Sequence, residues 1–136
     1  MAGERNLRTL LRGMEPRLFA EPYGYVVLAN GETLPAGLAP FAIIAEDEGL
    51  TLVAGADDLT RAGRPPGRLW ARISLTIHSD LSAVGLTAAF ADALARQGIS
   101  VNVVAGYYHD HLFVQWDRRH DGLSALIALA TGPGDV

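Results

Sequence analysis

The feature that most constrains this chain is the run from Leu69 to His78. Leu69, Ala71, Ile73, Leu75 and Ile77 alternate there with Trp70, Arg72, Ser74, Thr76 and His78. A period of two is that of a β-strand, and only one of its two faces is apolar. Such a strand needs a sheet beside it and a covering layer on one side only. Ser79, Asp80 and Ser82 then offer helix-capping oxygens. Leu86, Phe90, Ala93 and Leu94 follow at the spacing of an amphipathic helix that ends at Gly98. Ile99–Ala105 reads as a second strand, Gly106–Asp110 as a turn and His111–Trp116 as a third strand. Asp117 is placed to cap a last helix with Leu123, Leu126, Ile127 and Ala130 as its core stripe. The order β-α-β-β-α predicts an α+β fold, an antiparallel sheet with helices packed on one face in the ferredoxin-like manner. The fourth strand of that pattern does not follow Ala130. It is missing, or it comes from the N-terminal half or from another chain.

Gly63-Arg64-Pro65-Pro66-Gly67 can neither continue a helix nor sit inside a sheet. It divides the chain into an N-terminal half (1–63), a linker (64–68) and a C-terminal domain (69–136). In the first half, residues 4–13 read as a short helix from Leu7, Leu10, Leu11 and Met14, with Asn6 as its cap and Pro16 as its end. Strands are expected at Arg17–Ala20, Gly24–Ala29, Phe41–Ala45 and Gly49–Ala54. Asn30-Gly31 marks a turn, Pro35, Gly37 and Pro40 break the chain, and Ala56–Ala62 reads as a helix.

Composition narrows the function. Of 136 residues 49% are hydrophobic and 19% charged, which leaves more apolar surface than a small monomer hides and predicts a homo-oligomer, a dimer. A net charge of −4 with scattered arginines gives no basic patch for nucleic acid or an anionic membrane. The absence of cysteine excludes disulfides, thiolate nucleophiles and sulfur-based zinc sites. Glu4, Arg5, Arg8, Arg12 and Glu15 interrupt any secretory signal, and no run approaches the roughly 18 apolar residues of a membrane span, so a cytoplasmic location is expected.

From Leu69 to Ala130 the chain resembles the ACT family, in particular tandem ACT-like proteins that include the cytosolic arginine sensors of animals and uncharacterised bacterial relatives. The resemblance is carried by the strand beginning at Trp70, by Gly85-Leu86 entering the first helix, by ALARQGISVNVV and by YYHDHLFV. The first half resembles the family more loosely, through Phe41–Ala45 and Glu48–Val53. The resemblance implies two ACT units in tandem that bind amino acids or similar small molecules without catalysis. It places ligand contacts on the loop between first strand and helix (Asp80, Gly85, Leu86), on the second-strand edges (Thr51-Leu52 and Asn102-Val103) and on an acid before the third strand, Asp110.

The residues themselves leave alternatives open. Gly85 at a helix start lets a ligand approach free N–H groups, or simply lets helix and sheet pack closely. Asp110 can pair with an ammonium or guanidinium, yet Asp is also a common turn residue. Asn102 interrupts an apolar strand and needs a ligand, a partner or solvent to satisfy its amide. His109-Asp110-His111, with His78, hints at a metal but lacks the spacing of a known metal motif. No nucleophile elbow or phosphate-binding loop is present. Glu46-Asp47-Glu48 and Asp57-Asp58 read as solvated charge and helix-start residues. The expectation is therefore a non-catalytic, cofactor-free regulatory protein for a small molecule, an amino acid. The alternatives are a ligand-free oligomerisation or interaction module, and a metal-dependent enzyme built on His109, Asp110 and His111.

Overall fold

The computed structural model describes residues 7–76 and 85–131. In chain order the elements are α1 (Leu7–Arg12), β1 (Pro16–Leu18), β2 (Tyr23–Ala29), β3 (Ala42–Glu46), β4 (Gly49–Gly55), α2 (Ala56–Arg61), β5 (Trp70–Leu75), α3 (Leu86–Arg96), β6 (Val101–Ala105), β7 (Asp110–Gln115), a single 3₁₀ turn at Trp116–Arg118, and α4 (Arg119–Thr131). The chain packs as two compact units. One comprises residues 20–70, and the other joins residues 7–19 to residues 71–131.

In the second of these units the strand order is β1–β5–β7–β6. The strand absent after Ala130 is β1, which pairs antiparallel with β5 through Pro16↔Leu75, Arg17↔Ser74 and Leu18↔Ile73. The first segment of the chain thus completes the sheet of the last. The turn that feeds β1 holds Glu15 at φ +43°. Thr76 fixes it: its backbone N–H donates to the Met14 carbonyl at 3.1 Å, and its hydroxyl donates to the Glu15 carbonyl at 3.1 Å. β6 and β7 form an antiparallel hairpin from Val101↔Val114 to Ala105↔Asp110.

Alternation along the strands sorts their side chains. Ala71, Ile73, Leu75, Leu112 and Val114 join a core closed by Leu10, Leu11 and Met14 from the first segment, Leu86, Phe90 and Leu94 from α3, and Leu126 from α4. The helix α1 therefore packs with α3 and α4 within its own chain. The C-terminus of α3 closes as a Schellman motif, with Ile99 N–H on the Leu94 carbonyl and Gly98 N–H on the Ala95 carbonyl. Two expectations for the end of the chain are corrected. Asp117 lies within the 3₁₀ turn Trp116–Arg118 that precedes α4, two residues before its first residue Arg119, and not at the position of a helix N-cap. Ile127 is 46% exposed, because Leu123, Leu126 and Leu129 are the α4 side chains that pack on the core.

The unit of residues 20–70 has the order β3–β4–β2, antiparallel throughout, and Tyr23 of β2 also pairs antiparallel with Trp70. The connection between β2 and β3 is the loop broken by Pro35, Gly37 and Pro40, as the sequence predicts, and Leu38 from that loop is buried with Leu28, Leu52, Ala54 and Leu59. Gly24 has a specific task. A Cβ there would lie 2.3 Å from Pro66 Cβ and 2.6 Å from its Cγ. The Pro-Pro segment is thus laid against the bare backbone of β2, and an Arg64–Glu32 ion pair holds it further.

This packing can be probed at two positions. Leu10→Ala empties a fully buried site shared by α1 and the sheet, and should lower unfolding free energy by about 2–5 kcal/mol in denaturant titration. Gly24→Ala should cost about 1–3 kcal/mol by overpacking. Part of that loss should return in the double variant Gly24→Ala/Pro66→Gly, because the two sites touch.

Candidate functional site

The residues singled out in the sequence fall in several places. Asp80 lies outside the described residues. Gly85 occupies the N-cap position of α3 with φ +94°, a left-handed conformation that a side chain disfavours by roughly 1–2 kcal/mol. No side chain caps this helix, and a Cβ at Gly85 would meet Leu7 Cδ2 of α1 at 3.2 Å. Leu86, the first helical residue, is buried in the core. Both readings of Gly85 thus have a physical counterpart: close packing under α1, and first-turn N–H groups without a side-chain partner at the cap.

Asp110 opens β7 opposite Ala105 and is half-buried. Burial raises its pKa above the ordinary carboxylate value, with the nearby His109 acting in the opposite direction. Ser74 Oγ lies 2.7 Å from His111 Nδ1, so the end of β5 lies beside the start of β7. The chain leaves β5 at that end of the sheet and re-enters at Gly85. Asp110 therefore begins its strand at the sheet end from which the β5–α3 connection departs. Beside Asp110, His109 Nδ1 is buried with no hydrogen-bond partner among the described residues. The turn before it exposes Tyr107 and Tyr108, packed edge to face at 5.1 Å.

Asn102 and Val103 lie on β6, the outer strand of its sheet, opposite Phe113 and Leu112. Asn102 is exposed, so solvent satisfies its amide. In the other unit, Thr51 pairs with Val27 and Ile44 across three strands and donates its hydroxyl to Glu46. Leu52 is fully buried in that unit's core. Its side chain is committed to packing, and β4 is the central strand, paired with β2 on one side and β3 on the other, so the strand edge expected at Thr51-Leu52 is covered by β3.

The His-Asp-His run does not assemble a metal centre: among the described residues no three His, Asp or Glu side chains converge as ligands. His111 Nδ1 is instead engaged with Ser74 and, at 3.5 Å, with Arg72 Nη2. Arg72 Nε donates to Ser74 Oγ at 3.1 Å, and Ser74 Oγ shares a hydrogen bond with His111 Nδ1 whose direction depends on the tautomer of that imidazole. The His111 pKa falls to about 4, by burial first, then by the charges of Arg72 and His109. Sequence reasoning misses this arrangement. Its one visible sign is that Arg72 and Ser74 stand on the non-core face of the alternating strand.

A shallow cleft of about 220 Å³ lies in the residue 20–70 unit, between Glu21, Pro22 and the start of α2. None of the residues predicted to bind lines it. No helix among the described residues is long and apolar enough to cross a membrane.

Comparison with known proteins places this fold. ACT domain models match residues 2–65 and residues 68–128. No curated protein matches the chain. Among solved structures it is similar to a Vibrio cholerae protein of unknown function, described as a possible transport protein, with 46% identity and a TM-score of 0.81, over 92% of this chain and 96% of that one. It is also similar to an Agrobacterium tumefaciens protein at 22% identity and TM-score 0.67, over 85% of this chain and 87% of that one. The regulatory subunit of aspartate kinase from Thermus flavus superposes with a TM-score of 0.62 at 13% identity, over 95% of this chain and 99% of that one. At the two lower identities the likeness is one of fold. The chain belongs to the ACT family and carries two ACT domains in tandem.

Proposed function

We propose that this chain is a non-catalytic regulatory protein that binds an amino acid through its ACT domains and acts as a homodimer. The observation that carries the reading is the setting of Asp110. A half-buried carboxylate opens β7 beside an unpartnered His109 nitrogen, at the sheet end from which the chain leads to the uncapped start of α3 at Gly85. Helix-start N–H groups suit a ligand carboxylate, and Asp110 suits an ammonium or guanidinium. Those are the two charged groups of an amino acid. In sequence Asp80 lies within the same connection and Leu86 ends it, and Asn102 and Val103 on the outer strand β6 would contribute edge contacts. Thr51 and Leu52 belong to the other unit and are not part of this site. In this reading the repeats occupy 1–63 and 69–136 in sequence, joined by 64–68. The ACT domain matches and the regulatory subunit among the fold relatives support a regulatory role. Regulation then requires that the ligand bind one arrangement of the protein better than another.

A second reading, association without a ligand, is favoured by exposed apolar side chains in the residue 20–70 unit. Ile43 and Ile44 are 52% and 43% exposed on the outer strand β3, and Val27 is 57% exposed. An apolar edge of this kind invites pairing with another strand. The two readings are compatible, and separate measurements test them.

Thermal unfolding against the twenty amino acids tests the first. A ligand at about 100 times its dissociation constant should add about 2.7 kcal/mol of stability, a rise of several degrees in Tm. Asp110→Asn should abolish that rise while leaving the unliganded Tm close to its original value. A flat response to the whole panel would remove the amino-acid reading. Sedimentation velocity tests the second: Ile44→Lys should shift the protein toward monomer, and an unchanged sedimentation coefficient would rule out β3 as the contact.

The protonation of this region also carries a sign. His111 has a folded pKa of about 4 against an ordinary value of 6.5, so the unfolded chain takes up the proton first. Its contribution to stability is present above pH 6.5 and is lost as pH falls toward about 4. Asp110, with its raised pKa, contributes in the opposite sense, and that contribution is lost as pH rises from 3.8 through its raised folded value. Denaturant unfolding between about pH 7 and 5 should therefore show stability falling with acidification, and His111→Gln should flatten that slope.

A further inference from the structure

The face of the β1–β5–β7–β6 sheet that points away from the helices carries a set of side chains that neither the fold nor the reading above uses. Leu18, Ile73 and Leu112 turn toward the core. Alternation therefore puts Arg17 and Phe19, Arg72 and Ser74, and His111 on the other face. Register brings them together: Arg17 lies opposite Ser74, Phe19 N–H donates to the Arg72 carbonyl at 2.9 Å, and Ser74 meets His111 at 2.7 Å. Two guanidinium groups, those of Arg17 and Arg72, converge on the single ring of Phe19, with their central carbons 4.3 and 4.0 Å from its centroid.

Each guanidinium is attracted to the negative face of the ring. Arg17 forms no ion pair among the described residues. The neighbouring imidazole is held neutral, partly by the charge of Arg72, which reports a positive field at this face. Arg72 is also oriented, through Nε to Ser74 and through Nη2 toward His111. A planar donor fork held in one orientation, with a second guanidinium on the same aromatic ring, suits an oxyanion, and Arg favours carboxylate and phosphate for its fork geometry.

We propose that Arg17 and Arg72, stacked on Phe19 and backed by Ser74 and His111, form a binding site for the carboxylate or phosphate group of a small anionic molecule. The site uses neither Gly85 nor Asp110, so it stands or falls apart from the amino-acid reading.

The test is a titration of the full chain with inorganic phosphate and, separately, with succinate, at constant ionic strength set by chloride. Arginine side-chain N–H resonances and His111 ring resonances are followed by NMR. Saturable shifts of Arg17, Arg72 and His111 are expected, with a rise in the His111 pKa as the bound anion offsets the positive field. A response to phosphate alone or to succinate alone identifies which group the site takes. Arg17→Gln, an exposed position on β1, should weaken binding about tenfold, the loss of one charge-assisted contact. Arg72→Lys keeps the charge but loses the fork, and should weaken it comparably. Arg96→Gln, on the exposed side of α3 and paired with Asp92, should leave it unchanged. The proposal is overturned if neither anion moves these resonances, if chloride alone reproduces the shifts, or if Arg17→Gln binds as the parent does.

Discussion

The pairing of Pro16–Leu18 with Ile73–Leu75 is the constraint on which the larger unit depends. It joins segments nearly sixty positions apart in the sequence. The entropy of closing so long a loop grows only logarithmically with its length, so the separation adds modestly to the cost. The gain is large. Three paired positions carry α1 with them, and with it Leu10 and Met14, both fully buried. Without β1 that edge of β5 would lack its antiparallel partner, and the core beneath α3 and α4 would lack the side chains that close it. The turn at Glu15 is held in an unfavourable conformation for the same purpose, with Thr76, the residue just after β5, supplying the bonds that stabilise it.

This pairing also explains which parts of the fold are legible in the sequence. The strand at 69–77 announces itself because its alternation is unbroken, and α3 because Leu86, Phe90 and Leu94 fall on one stripe. Both signals are local. β1 is three residues long, with a proline first, and carries no period of its own. Its place is set by a distant partner: a strand at Arg17–Ala20 and an N-terminal source for the missing fourth strand are both read from the sequence, but not that the one supplies the other. The expectations at Ile127 and Asp117 fail for a related reason. Helical spacing defines a stripe but not its rotation about the axis, and the packing of Leu123, Leu126 and Leu129 on the core sets that rotation.

The candidate site is legible in part. Asp110 and Gly85 can be marked because a turn acid and a helix-opening glycine are visible as residue types. That Asp110 is half-buried beside an unsatisfied histidine nitrogen is a property of the folded hairpin. The arginine pair is not legible at all. Arg17, Arg72 and His111 sit on three strands, and only the registers of those strands bring them to one place.

The two features meet at His111. Among the described residues Ser74 is the one buried polar side chain, and a buried hydroxyl must both accept and donate to avoid a penalty. It accepts from Arg72 and shares a hydrogen bond with His111 Nδ1. Burial and the Arg72 charge hold the imidazole neutral, since protonating both its nitrogens would place a third positive charge beside Arg72 and Arg17. A Cβ at Gly106 would lie 3.4 Å from His111 Nε2 and 2.9 Å from the His109 carbonyl, so the turn beside the ring admits only glycine. Gly106 in turn donates its N–H to that carbonyl at 2.9 Å and so closes the turn that delivers Asp110. The bonds from Arg72 through Ser74 to His111 and the glycine turn at Gly106 thus surround one imidazole, so the ring that borders the arginine face also borders the turn that leads into β7.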